Sequence, residues 1–157
     1  MAAQARHTFD LSLVTPEGPA FEGEVEMLIV PGAAGEIGIL ARHAPLVATL
    51  KAGGTRVHIR RDDEVREFAT GPGFFKVEQD RALALVDDAV DAREIDPERA
   101  RKQLEEAQAE LEQIDRGELT EADRWQIEQR IAHAENQLEV YAGGGGGRIR
   151  PVAPASG

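Results

Sequence analysis

The stretch Ala89-Val90-Asp91-Ala92-Arg93-Glu94-Ile95-Asp96-Pro97-Glu98-Arg99-Ala100 divides the chain, because the spacing of apolar residues changes across it. Before it, short runs alternate apolar and polar residues with the period of two that marks strands. Phe9, Leu11 and Leu13 alternate with Thr8, Asp10 and Ser12. Val25, Met27 and Ile29 alternate with Glu24, Glu26 and Leu28 until Pro31-Gly32, which assigns those three to one face. Val57 and Ile59 follow, then a turn at Arg61-Asp62-Asp63-Glu64 into Val65 to Ala69. Phe75 and Val77 lead into a second turn, Glu78 to Arg81, and the run Ala82 to Val86. Short strands at this spacing, with no helical period between them, predict an antiparallel β-sandwich over residues 1–90.

Beyond the stretch the period becomes helical. Ala100, Leu104, Ala107, Leu111 and Ile114 form one stripe, and Ile127, Ile131, Ala134, Leu138 and Tyr141 form a second. Asp96 is placed to cap the first helix, with Pro97 at the first helical position, where its missing N–H costs nothing. Gly117 is placed to end that helix, and Thr120-x-x-Asp123 resembles a capping box for the next. So short a connection predicts an antiparallel two-helix hairpin over 91–142, each helix on the order of 30 Å long. Residues 143–157, five glycines followed by a segment with two prolines, are expected to be a disordered tail.

The composition narrows the function. The chain has 157 residues, 41% of them apolar, and a formal net charge of −11 from 29 acidic and 18 basic residues. That charge argues against nucleic acid and against anionic lipid as partners. No apolar run reaches the ~18 residues that cross a bilayer. Met1 to His7 carry no apolar core of a signal peptide, so any membrane association is expected to run through a partner. Cysteine is absent, and Ser12 and Ser156 are the only serines, which leaves little for nucleophilic catalysis. His7, His43, His58 and His133 are scattered, without the spacing of a metal pair, and read as unrelated surface or turn residues. Most of the carboxylates alternate outward or line polar helix faces. No catalytic residues, no metal and no resident cofactor are expected.

Two segments stand apart. Val30-Pro31-Gly32-Ala33-Ala34-Gly35-Glu36-Ile37-Gly38-Ile39-Leu40 is glycine-rich around a short apolar run and reads either as tight turns or as a projecting contact loop. Gly38 within a strand leaves room for close approach by a neighbour. Ile95-Asp96-Pro97-Glu98-Arg99-Ala100 reads first as a helix cap.

Taken in order, Val14-Thr15-Pro16-Glu17-Gly18, Phe21-x-Gly23-x-Val25, Val30-Pro31-Gly32, Gly35-Glu36-Ile37-Gly38-Ile39-Leu40, His43-Ala44-Pro45-Leu46, Gly71-x-Gly73-Phe74 and Ile95-Asp96-x-x-Arg99-Ala100 resemble the epsilon subunit of the bacterial rotary F-type ATP synthase. Ala41-Arg42 departs from the family's usual Pro-Gly, and the glycine-rich tail lies outside the pattern. The resemblance implies a noncatalytic central-stalk subunit of a proton-translocating enzyme, peripheral at the cytoplasmic face of the bacterial membrane. It implies docking of the sandwich on the gamma subunit and the c-ring, with a hairpin that folds down or extends to the catalytic alpha/beta head and restrains ATP hydrolysis. Gly35, Glu36, Ile37 and Gly38 correspond by motif to the loop meeting the c-ring, and His43 to the segment near gamma. Some members bind ATP through the motif carrying Asp96 and Arg99. Here the supporting positions hold Glu106, His133 and Gln137 where nucleotide binders carry arginines, so ATP binding is expected to be weak at most. Two other readings stand beside this one: a nucleotide-sensing module of the same complex, and a β-sandwich adaptor of an unrelated assembly.

Overall fold

The computed structural model describes residues 7–60, 63–117 and 120–145. Ten strands precede two helices: β1 (Phe9–Thr15), β2 (Gly18–Val25), β3 (Met27–Gly32), β4 (Gly35–Leu40), β5 (Leu46–Leu50), β6 (Gly53–Arg60), β7 (Glu64–Thr70), β8 (Gly73–Glu78), β9 (Arg81–Val86), β10 (Ala89–Asp91), α1 (Pro97–Asp115) and α2 (Glu121–Val140). The hydrogen-bonded order is β10-β7-β6-β3-β5-β8-β9-β1-β2, with β4 paired to β3. The β1–β9 pairing is parallel, and the other pairings among the described residues are antiparallel.

This sheet wraps around one core. Phe9, Leu11, Leu13, Val25, Leu28, Val30, Ile39, Leu50, Val57, Phe68, Phe75 and Val77 meet there, all almost fully buried. Each large aliphatic or aromatic side chain in such a site contributes roughly 1.5–3 kcal/mol. The β1 alternation holds as the sequence predicts, with Phe9, Leu11 and Leu13 inward. The expected Val25-Met27-Ile29 face does not hold: Val25, Leu28 and Val30 point into the core, while Met27 and Ile29 are only partly buried. The chain bends at Glu26, leaving β1 as partner for β4 and β6, and the alternation restarts one residue out of phase. His58, expected at the surface, is 1% exposed and lies beside a bulge between His58 and Arg60. The predicted turn at Arg61-Asp62 lies outside the described residues.

The turns use their residues as turn chemistry demands. Gln79 and Asp80 close the β8–β9 hairpin with φ of 49° and 57°. Arg42, at φ 64°, occupies the left-handed region at the position where the family pattern has glycine.

In the helices, Asp96 Oδ1 accepts from the N–H groups of Glu98 and Arg99 at 3.1 and 3.2 Å, the N-cap the sequence predicts. Gly117, at φ 79°, ends α1 by donating its N–H to the Ile114 carbonyl. The Asp123 carboxylate accepts from the Thr120 N–H at 3.2 Å at the start of α2. Ala107, Leu111, Ile114, Ile127 and Ile131 form a core between the helices. This hairpin core is separate from the sandwich core, and a third cluster of Ala69, Ala92, Ile95 and Val140 joins the two. Tyr141–Gly145 continue α2 as a π-type turn. Residues 146–157 of the expected tail lie outside the described residues.

Candidate functional site

The glycine-rich segment forms the β3–β4 hairpin, with Gly32 paired to Gly35 around a two-residue tip of Ala33 and Ala34. Gly35 is at φ 140°, so a side chain there would be strained. The tip is tied to β5, since the Ala33 N–H donates to the Thr49 carbonyl and the Lys51 N–H to the Pro31 carbonyl, each at 2.9 Å. Glu36 stands outward beside the tip and pairs with Arg56 on β6 at 2.9 Å. Ile37 packs partly against the core. Gly38 is exposed, and the space where its side chain would stand is open, so it makes a flat spot on the surface rather than a close contact within the chain. His43 sits in the β4–β5 turn with Nδ1 2.7 Å from the Ala44 carbonyl. These five residues therefore fall on one connected β3–β4–β5 segment.

A second surface was not legible in the sequence. On β9 the small residues Ala82 and Ala84 face the core, whereas Leu83 and Leu85 face solvent. Across the strand pairs Phe74 stands opposite Leu85, and Lys76 opposite both Leu83 and Val47. The result is an apolar outer face on β5, β8 and β9, with Val47 64%, Phe74 59% and Leu85 47% exposed. Lys76 and Thr49 interrupt this face, but its exposed apolar side chains outnumber what chance scatter on one sheet face would give. The available signal was the Leu-Ala-Leu alternation in β9, apolar on both faces of one strand. The motif glycines position it: a side chain on Gly73 would overlap the Leu85 carbonyl, so only glycine lets β8 lie this close to β9.

The third feature is the junction between hairpin and sandwich. Asn136 on α2 donates from Nδ2 to the carbonyls of Gly53 and Thr70 at 3.2 and 3.0 Å. His133, one turn away, places Nδ1 2.9 Å from Asp88 Oδ2, and Gln137 Nε2 lies 2.6 Å from its other ring nitrogen. The Asp88 hydrogen bond raises the His133 pKa above its ordinary value; partial burial works against this, and the carboxylate's charge adds to it. Asp88, His133 and Asn136 border a cleft of about 460 Å³ lined also by Asp87, Gln103, Glu106 and Arg130. Arg130 is held by Glu110 at 2.7 Å. Of the expected nucleotide-site residues, Glu106 and His133 line this cleft and Gln137 contacts His133, but Asp96 and Arg99 do not line it. Asp96 is engaged as a cap and Arg99 is exposed.

At the base of the hairpin, Asp91 ends β10 and receives Arg66 and Arg93, both at 2.9 Å. Burial pushes its pKa up, but the hydrogen bonds from Arg93 and Arg66 outweigh this and hold it at about 2. Among the described residues no three His, Asp or Glu side chains converge as metal ligands, and no helix is long and apolar enough to cross a membrane.

A β-sandwich with a bare apolar flank, joined to a C-terminal helical hairpin, is thus the class the structure defines. Residues 8–92 match the family model described as ATP synthase, Delta/Epsilon chain, beta-sandwich domain. Two curated relatives carry the match through the hairpin. The ATP synthase epsilon chain of Rubrobacter xylanophilus is 36% identical over 94% of this chain and 100% of its own length. That of Persephonella marina is 39% identical over 84% of this chain and 95% of its own. A chain in the structure of the Euglena gracilis mitochondrial ATP synthase, comprising OSCP, F1 and c-ring, superposes with a TM-score of 0.71 at 25% identity, covering 90% of this chain and 86% of that one. A chain from the central stalk and c-ring of the Tetrahymena thermophila mitochondrial ATP synthase shares the fold, with a TM-score of 0.52 at 13% identity over 84% of this chain and 95% of that one. The chain belongs to the ATP synthase delta/epsilon family, and its relatives are epsilon chains.

Proposed function

We propose that this chain is a noncatalytic rotor subunit in the central stalk of a bacterial, proton-translocating F-type ATP synthase, peripheral at the cytoplasmic face of the membrane. Its sandwich joins the gamma subunit and the c-ring and so carries c-ring rotation toward ATP synthesis. Its hairpin restrains ATP hydrolysis when it extends to the alpha/beta head. The observation that supports this reading most is the apolar outer face of Val47, Phe74, Leu83 and Leu85 on a folded sandwich, a surface that needs a protein partner. The hairpin's own core, separate from that of the sandwich, supports a movable element. The β3–β4–β5 segment with Glu36 and His43 is assigned to the c-ring and gamma contacts by its motif.

Regulation by nucleotide has less support. Asp96 is used by the helix N-terminus, and Asp87, Asp88 and Glu106 border the cleft at the hairpin junction, where their charges oppose a phosphate. ATP, if it binds, binds weakly. The test is hydrolysis by the assembled enzyme after deletion of residues 92–157. The reading requires a faster rate with assembly intact. An unchanged rate under conditions that populate both hairpin positions refutes the inhibitory role.

A further inference from the structure

We infer that the His133–Asp88 contact makes docking of the helical hairpin on the sandwich pH-dependent, with acid holding the hairpin down and alkali releasing it. The inference concerns the docking equilibrium of this chain alone, and it goes beyond the proposed function because it does not require the hairpin to restrain hydrolysis.

Three sets of contacts among the described residues tie α2 to the sandwich side of the junction. Asn136 bonds to the Gly53 and Thr70 carbonyls, Val140 packs with Ala69, Ala92 and Ile95, and His133 pairs with Asp88. The amide and the apolar cluster are indifferent to pH near neutrality, and the imidazole is not. The charges around His133 determine the sign. From the sandwich, Asp87 and Asp88 border the cleft; from α1, Glu106 does, beside the neutral Gln103; from α2 itself, Arg130 does, beside the neutral Gln129 and Gln137. The Arg130 guanidinium is engaged by Glu110 through two hydrogen bonds of 2.7 and 3.2 Å. Undocking leaves His133 beside Glu106 and Arg130, which travel with the hairpin, and separates it from Asp87 and Asp88. The differential effect therefore comes from the two sandwich carboxylates, and it favours the imidazolium in the docked state.

The surroundings tolerate both protonation states. A neutral ring donates from Nδ1 to Asp88 and accepts at Nε2 from the Gln137 amide. A charged ring donates from both nitrogens, and rotating the Gln137 amide by half a turn offers its oxygen instead. The side chain of His133 is 40% exposed, which leaves it open to proton exchange with solvent. Gly71 keeps Asp88 in place, since a side chain at that position would run into the Asp88 carboxylate. Because the docked His133 titrates above its ordinary 6.5, the added stabilisation is complete below the undocked value and is lost as pH rises through the docked one.

The chain has no cysteine, so Glu22→Cys and Gln126→Cys, both at exposed positions, can carry a spin-label pair across the junction. Pulsed EPR reads the docked fraction from about pH 5.5 to about pH 8.5, a range that brackets the ordinary histidine pKa. Urea is added until half the hairpins are undocked at the lower pH, and far-UV circular dichroism tracks helix content. The docked fraction should fall as pH rises, before helix content falls. The docked-to-undocked ratio should change tenfold for each unit by which NMR finds the docked His133 pKa above the undocked one. In His133→Gln this pH dependence should vanish, and in Asp88→Asn, where Asp87 remains, it should shrink. A docked fraction that is constant with pH, a dependence that survives in His133→Gln, or loss of docking only together with the helices would each overturn the inference.

Discussion

The backbone N–H of Arg42 donates to the side-chain carboxylate of Asp80, joining two residues that both hold left-handed backbone conformations, at φ 64° and 57°. The bond pins the β4–β5 turn to the β8–β9 turn. A residue with a Cβ costs about 1–2 kcal/mol in that region, and glycine gives back part of the gain through the entropy it loses on folding. Arg42→Gly keeps the donor and relieves the strain. It should stabilise the chain by about 0.5–1 kcal/mol, read as a higher urea midpoint at unchanged slope.

Gly73→Ala should do the opposite. The added methyl overlaps the Leu85 carbonyl, a backbone atom that cannot swing away. A loss of about 3 kcal/mol is expected, at the upper end for overpacking, with β8 and β9 forced apart. Calorimetry would show it as a fall in Tm, and a melt indistinguishable from the parent would mean that the strands can separate at little cost.

Glu36→Ala tests whether a motif residue serves the fold. Its link to Arg56 joins a side chain 63% exposed to one 21% exposed, and surface pairs of this kind contribute little. The change in stability should stay within about 0.5 kcal/mol. Coupled ATP synthesis by the assembled enzyme should fall instead. A large drop in Tm with full coupling would assign Glu36 to the fold.

Asp91 predicts behaviour in acid. Its folded pKa, about 2, lies below the ordinary 3.8, so its contribution to stability is present above ~3.8 and is lost as pH falls through ~2. Asp91→Asn should lower Tm at neutral pH and flatten the loss of Tm over that acid range. Parallel acid limbs in the two proteins would show that the Arg66 and Arg93 contacts do not favour the charged form.

The change from strands to helices was readable because periodicity is a local property: Phe9-x-Leu11-x-Leu13 and the stripe from Ala100 to Ile114 each carry it without outside help. Caps were readable for the same reason, as Asp96 and Gly117 show. What failed depended on non-local pairing. The bend at Glu26 exchanges partner strands and shifts Met27 and Ile29 out of the core, and no spacing within the segment announces it. In β9 both faces are apolar, so the sequence does not say which is covered, and the small alanines won the core while the leucines were left outside. His133 and Asp88 meet only because the hairpin folds back on the sandwich. Glu36 and His43 are contact candidates through the family motif alone, whereas their sequence neighbourhood left both a turn and a contact loop open.

In the proposed function the stalk covers the Val47–Phe74–Leu85 face in the working enzyme, and Phe74→Glu probes that burial. Phe74 is 59% exposed here, so a carboxylate in its place should leave the isolated chain folded, with Tm close to the parent's. Buried against a partner, the same charge would be desolvated, a cost that neighbouring Lys76 only partly offsets. The measurement is co-purification of the variant with an ATP synthase assembled from subunits lacking the endogenous chain. The variant should fold and yet fail to enter the complex. A folded variant that enters it as well as the parent, and supports the same rate of ATP synthesis, would contradict it.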